Sequence, residues 1–195
     1  MSDKSILITG FGPFLEHSEN PSQVLAKLLS EKIKGFATVC NETISVDRQG
    51  LKDFYTNVLT LKSGFDFVVH FGLNASATKI HMETIALNCI ARRSSDQGDI
   101  EPIDHEGLEL LPCTFDFNLI HDWILKNKDY VAYSRDAGQY FCNELLYRSI
   151  QLSHDSKPGK HGIPQVLFIH IPDISVLSLE RQFSLMVDFF VCVSQ

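Results

Sequence analysis

Paired cysteines are missing from this sequence. Its five cysteines, Cys40, Cys89, Cys113, Cys142 and Cys192, are odd in number, widely spaced and include no C-x-x-C pair. That spacing argues against a disulfide framework and a zinc knuckle, and points to a reducing, cytosolic compartment. In such a setting a cysteine is usually a small buried hydrophobe. A long apolar run is missing too. Four residues, Ile6 to Thr9, lead from a short polar start into Gly10, too few for a signal-peptide core, and no later run approaches a membrane span. Positive charge is scarce, with a net charge of −7 and Arg92-Arg93 the only adjacent basic pair. Neither nucleic acid nor a membrane surface is therefore an expected partner. Internal repeats, low-complexity tracts and Pro/Gly/Ser linkers are also lacking, so the 195 residues are expected to form one domain with a full core.

What is present alternates between strand-like and helix-like segments. Ile6 to Thr9 reads as a buried strand stopped by Gly10, followed by a loop to Pro21. Ser22 is expected to cap a helix carrying Val24, Leu25, Leu28 and Leu29. Next come a strand (37–45), a helix (47–61) with Leu51, Phe54, Tyr55, Val58 and Leu59 on one face, and a strong strand (65–71) ended by Gly72. A looser strand pairing covers 80–90, a polar loop 92–107 and a helix 115–126 with Leu119/Trp123 and Ile120/Ile124 pairs. The order then closes with a strand (130–134), a helix (142–152), a strand (166–171) and a helix (178–193). Such alternation predicts βαβ units, a mainly parallel twisted sheet, and sites beyond the carboxyl ends of its strands. The loops to search are 10–20, 72–79, 135–142 and the turn after His170.

Cys142 stands where the turn containing Asp136 and Gly138 gives way to a helix carrying Leu145, Leu146 and Ile150. A thiol there faces free N–H groups and the positive helix end, which favour the nucleophilic thiolate. The plainer alternative is a cysteine packed under the helix. A nucleophile needs a base. His170, at the end of the apolar run 166–169 and just before Pro172, is best placed, with His70 its competitor and a hydrogen-bonded core histidine the alternative for either. His17, His105, His154 and His161 lie in polar stretches and read as surface. An imidazole also needs an orienting acceptor. Glu83 interrupts the half-buried run Ile80, Met82, Ile85, Ala86, Leu87, so it either has a partner, faces a cleft, or lies on the wet face of an edge strand. Gly10-Phe-Gly-Pro-Phe14 is no dinucleotide loop: the third glycine is replaced by Leu15 and Pro13 blocks the turn into a helix. Two phenylalanines at a strand end suit a flat apolar pocket instead, with simple anchoring of the loop to the core as the alternative. His81 with Glu83, or His70 with His81, could begin a metal site, but neither pair has a third ligand at convincing spacing.

Taken together, four segments resemble the pyroglutamyl peptidase I (pyrrolidone-carboxylate peptidase) family of cysteine peptidases. They are ILITGFGPF with Asn20-Pro21-Ser22, HFGLNASATKIHMETIALN (70–88), SRDAGQYFCNELLY and VLFIHIP. Each alone is a modest signal; four in order across nearly the whole chain are specific.

The resemblance implies a three-layer α/β/α sandwich, no cofactor, and removal of N-terminal pyroglutamate from peptides. It places the catalytic trio on Cys142, His170 and Glu83. It places ring-enclosing phenylalanines on Phe11 and Phe14, a substrate contact on Asn20, an active-site arginine on Arg92, and pocket walls on Tyr140 and Phe141. The expected partners are pyroglutamyl peptides, and oligomeric state stays open between monomer and tetramer. The chain departs from its relatives at Leu15, at Leu73 where many bacterial members carry Gln, and at Ser94-Ser95-Asp96. A catalytically weak homologue that binds blocked peptides is the main alternative. A nucleoside-phosphorylase-like enzyme would need a basic and hydroxyl phosphate site, and no persuasive one is visible.

Overall fold

A computed structural model describes residues 4–14, 19–59, 64–91, 100–155 and 164–194. The apolar opening run forms β1 (Ser5–Phe11), followed by α1 (Pro21–Ile33), β2 (Thr38–Ile44) and α2 (Arg48–Phe54), which runs on as a π-helical turn, Tyr55–Leu59. Next come β3 (Phe67–Leu73), β4 (Ile80–Glu83) and four short strands: β5 (Ile85–Leu87), β6 (Ile90–Ala91), β7 (Ile100–Glu101) and β8 (Leu110–Pro112). A 3₁₀ turn at Phe117–Ile120 feeds α3 (His121–Lys126), and the order closes with β9 (Val131–Ser134), α4 (Phe141–Asp155), β10 (Gln165–Ile171) and α5 (Leu179–Val193). No helix among the described residues is long and apolar enough to cross a membrane.

Six strands form one sheet in the order β2-β1-β3-β10-β4-β9. All pairs are parallel except β10 with β4. The reversal matters for the site, because β4 and β9 run against β10. Glu83, at the end of its strand, therefore pairs with Phe168, two residues before His170 and on the same face.

Alternation along the central strands sends successive side chains to opposite faces. On one face Ile6, Ile8, Phe67, Val69, Phe71, Leu167, Ile169 and Ile171 pack against α1, α3 and α5. On the other, Leu7, Phe11, Val68, Val166 and Phe168 pack against α2 and α4. Helices thus cover both faces, giving the expected three layers. Each fully buried Leu, Ile or Phe on these faces contributes roughly 1.5–3 kcal/mol relative to exposure.

Local chemistry moves several predicted boundaries. The cap of α1 is Asn20 and not Ser22: the Asn20 side chain accepts from the Ser22 N–H, and Pro21, lacking an N–H, fits the first helical position. The helix expected over 115–126 is a 3₁₀ turn and then only six residues of α-helix. The α-geometry expected over 47–61 ends at Phe54. The pairing expected over 80–90 breaks into three strands. At Thr84 both the N–H and the hydroxyl donate to the Ser134 carbonyl, each at 2.8 Å. β5 then leaves the main sheet to pair with β8.

Candidate active site

Cys142 is the second residue of α4. The Tyr140 carbonyl accepts the Glu144 N–H at 3.0 Å, so Phe141, Cys142 and Asn143 occupy the first turn, where backbone N–H groups have no partner within the helix. Asn143 locks that turn in place. It is 1% exposed, its Oδ1 accepts from the Leu87 N–H at 2.9 Å, and its Nδ2 donates to the Leu87 and Cys89 carbonyls at 2.7 and 2.8 Å. Sequence reasoning passed over Asn143; the available signal was a polar amide on the first turn of a helix due to be buried.

Gly72 makes room for the thiol. A Cβ built there would lie 2.7 Å from the Phe168 ring and 3.2 Å from the Cys142 Sγ. Any larger residue would push one of them away. Gly72 is also the register partner of His170, so the sulfur rests over the two strands that bring the histidine.

His170 sits near the end of β10, 4% exposed, with its ring 4.8 Å from that of Phe168. Its Nδ1 shares a proton with Glu83 Oε1 at 2.8 Å. Burial by itself would lower the histidine pKa, but the Cys142 sulfur and the Glu83 carboxylate outweigh it and raise it to about 9. Burial would likewise raise Glu83; the His170 hydrogen bond, with Ser134 and His81 nearby, reverses this and holds the carboxyl below its ordinary value. A protonated imidazole beside a thiol favours the thiolate. Glu83 is 0% exposed on a strand flanked by β10 and β9, which rules out the wet edge-strand alternative.

His70, the competitor, is a core histidine. It is fully buried, with ring nitrogens bonded to the Thr9 hydroxyl at 2.8 Å and the Ser149 hydroxyl at 3.0 Å. Burial pushes its pKa down to about 3. Burial raises Cys113 to about 11 and also raises Cys89 and Cys192. His105 and His154 are exposed, as expected.

Beside Cys142 opens a cavity of about 180 Å³. Phe11, Phe14, Tyr140 and Phe141 form its aromatic walls, and Val46 and Leu73 complete the apolar lining with Asn20 at the border. Val46 was not singled out from sequence, although it follows the carboxyl end of β2 as the sheet rule requires. Asn20 mainly builds the wall: its Nδ2 donates to the Gly12 carbonyl at 3.1 Å, and its Oδ1 accepts from the Ser22 N–H and hydroxyl. Ser22 in turn accepts the Phe11 N–H at 3.1 Å. The Asn-Pro-Ser motif thus ties the end of β1 to the start of α1. Arg92, Leu15, Ser94-Ser95-Asp96, His17 and His161 lie outside the described residues.

A family model of pyroglutamyl peptidase matches residues 4–191. The pyrrolidone-carboxylate peptidase of Thermococcus litoralis is 30% identical over 87% of this chain and 76% of its own. That of Oceanobacillus iheyensis is 30% identical over 90% of this chain and 87% of its own. Among solved structures, a variant of the pyrrolidone carboxyl peptidase of Pyrococcus furiosus superposes with a TM-score of 0.81 at 24% identity, covering 98% of this chain and 99% of that one. Pyroglutamyl peptidase I of Bacillus amyloliquefaciens does so with the same TM-score and identity, covering 98% and 97%.

Proposed function

Because the chain belongs to the pyroglutamyl peptidase family of cysteine peptidases, we propose that it removes N-terminal pyroglutamate from peptides, with Cys142 as nucleophile and His170, oriented by Glu83, as general acid and base. The observation that carries this reading is the joining of the Glu83–His170–Cys142 chain to an apolar pocket whose described lining residues, apart from the reacting Cys142 itself, include no carboxylate or cationic side chain. Pyroglutamate is a small flat lactam with a neutral nitrogen. A free α-ammonium placed in the same pocket would lose its hydration without gaining a carboxylate partner from the described lining, since the Cys142 sulfur is already matched by the His170 imidazolium. The aromatic walls favour the ring, and the polar edge of the pocket is left to Asn20 and to main-chain groups.

In the first step the Cys142 sulfur attacks the scissile carbonyl carbon as a thiolate. Oxyanion charge then develops in front of the N–H groups of the first turn of α4, fixed in advance by Asn143. Collapse breaks the C–N bond as His170 gives its proton to the leaving amine, producing a thioester and a shortened peptide. His170, now neutral, takes a proton from water; the hydroxide adds to the thioester carbonyl, and pyroglutamate departs as the Cys142 thiolate re-forms. Glu83 keeps the ring in one orientation and stabilises its charged form throughout. Phe11, Phe14, Tyr140 and Phe141 hold the lactam, and Asn20 keeps one amide hydrogen for it beyond the bond to Gly12.

Turnover of a pyroglutamyl-linked fluorogenic amide tests this. Wild type should release the fluorophore, and Cys142→Ala should lose at least ~10³-fold in kcat/KM. Unchanged turnover in Cys142→Ala would sink the mechanism, and a folded but inactive wild type would favour a peptide-binding role.

A further inference from the structure

A second cleft of about 450 Å³ adjoins the reacting centre, lined by Leu73, Asn74, Ser76, Asp136, Gly138 and His170 among others. It shares Leu73 with the lactam pocket, which is itself lined by Cys142, so the thiol borders one cavity and the imidazole the adjoining one. A peptide whose pyroglutamyl ring fills the first pocket has its scissile carbonyl at Cys142. Its leaving nitrogen must face His170. The residue carried by that nitrogen is then directed into the second cleft.

Both rims of this cleft are stiffened. Asn74 Oδ1 accepts from the Ser76 N–H at 3.1 Å and the Ser76 hydroxyl at 2.7 Å, while the Asn74 N–H donates to the Ile171 carbonyl at 2.9 Å. Across from it, Asp136 Oδ1 accepts the Gly138 N–H at 3.0 Å, with Gly138 at a φ of 78° that glycine adopts without strain. The Asp136 N–H donates to Ser134 Oγ at 3.1 Å. These turns leave Asp136 Oδ2 and Asn74 Nδ2 without protein partners among the described residues. Two ionisable side chains line the cleft. The charge of His170 is matched by Glu83 at 2.8 Å; Asp136 has no salt-bridge partner among the described residues, and Arg135, its neighbour in sequence, is not part of the lining.

Building on the reading above, we propose that this cleft receives the second residue of the substrate and that Asp136 selects for a cationic side chain there, lysine or arginine. The net charge of −7 acts in the same direction on a positively charged peptide. Asn74 Nδ2 offers a donor to the carbonyl of that residue.

The test compares pyroglutamyl-lysine amide, pyroglutamyl-glutamine amide and pyroglutamyl-glutamate amide, following release of the free amino acid amide by wild type and by Asp136→Asn. Asparagine keeps the oxygen that accepts the Gly138 N–H, so the turn is retained. At low ionic strength the lysine substrate should exceed the glutamate substrate in kcat/KM by about 5- to 10-fold, the size expected of a solvent-exposed charge contact. The ratio should fall below about 3 in ~0.5 M salt and in Asp136→Asn. Equal turnover of all three peptides would overturn the inference and leave the peptidase reading intact. So would a lysine preference that survives high salt or Asp136→Asn. Cleavage of none of the three by folded wild-type protein would overturn both.

Discussion

Two buried histidines stand on adjacent strands and on the same face of the sheet, with the Phe168 ring beside both. His70 lies between two neutral hydroxyls and its pKa falls to about 3; His170 lies between a carboxylate and a thiol and its pKa rises to about 9. Burial acts on both in the same sense, lowering the pKa. The difference comes from what completes the hydrogen bonds. Neutral partners can satisfy a neutral ring and give no reason to charge it, whereas the Cys142 sulfur and then the Glu83 carboxylate make the imidazolium the favoured form. Depth of burial therefore does not distinguish the core histidine from the one proposed to react; the charge of the partners does.

The contrast can be broken most severely at His170. His170→Ala should lose about 10⁴-fold in kcat/KM on a pyroglutamyl amide while the protein stays folded, since the acid, the base and the counter-charge to the thiolate vanish together. A loss below tenfold would mean that His170 does not serve the reaction. Next in size is Glu83→Gln, which keeps the shape but removes the charge; roughly 10²- to 10³-fold should be lost. In wild type the working imidazolium should titrate away as pH rises through about 9, ending activity there. In Glu83→Gln that alkaline limb of the pH–rate profile should move down by at least about one unit, and a limb that stays in place would contradict the ion pair.

His70→Ala should do the opposite, leaving chemistry in place and weakening the fold. Removing the ring leaves a cavity and two unpaired hydroxyls, at a cost of about 2–4 kcal/mol in urea unfolding. A catalytic loss comparable to that of His170→Ala would overturn its assignment to the core. A smaller effect concerns pH. His70 titrates at an ordinary 6.5 once unfolded but near 3 in the fold, so its contribution is complete above about 6.5 and declines as pH falls toward 3. The stability gap between wild type and His70→Ala should therefore narrow between pH 7 and pH 4. His170 has the reverse sign, contributing fully below 6.5 and losing that contribution as pH rises toward 9.

Much of the fold was legible because strands such as Phe67–Leu73 and Gln165–Ile171 are apolar at nearly every position, as a sheet covered on both faces demands. The sequence-based elements that failed are those whose boundaries depend on distant partners. The stretch 80–90 looked continuous, yet Thr84 bonds to Ser134 and Leu87 to Asn143, more than forty residues away, and these bonds cut it into pieces. In the site, Cys142 and His170 were marked by local context, a helix start and a strand end. Val46 was not, because it lies far from the thiol in sequence; loops 72–79 and 135–142 were marked, but the cleft they form together around Asp136 depends on their meeting in the fold.

Cys142 at a helix start, an alternating α/β order, a pair of loop phenylalanines and a short list of histidines and carboxylates were all determined by the sequence. Local periodicity and residue type are sufficient for that much, because helix, strand and turn preferences act over a few residues. Which histidine would be basic was not among them. That was decided by the antiparallel placement of β4, which lowers Glu83 beside Phe168 and within 2.8 Å of His170 Nδ1, and by the parallel pairings that put Thr9 next to His70. Electrostatic fate depends on charges a few ångströms away, and only the folded sheet brings residues 83 and 170 that close.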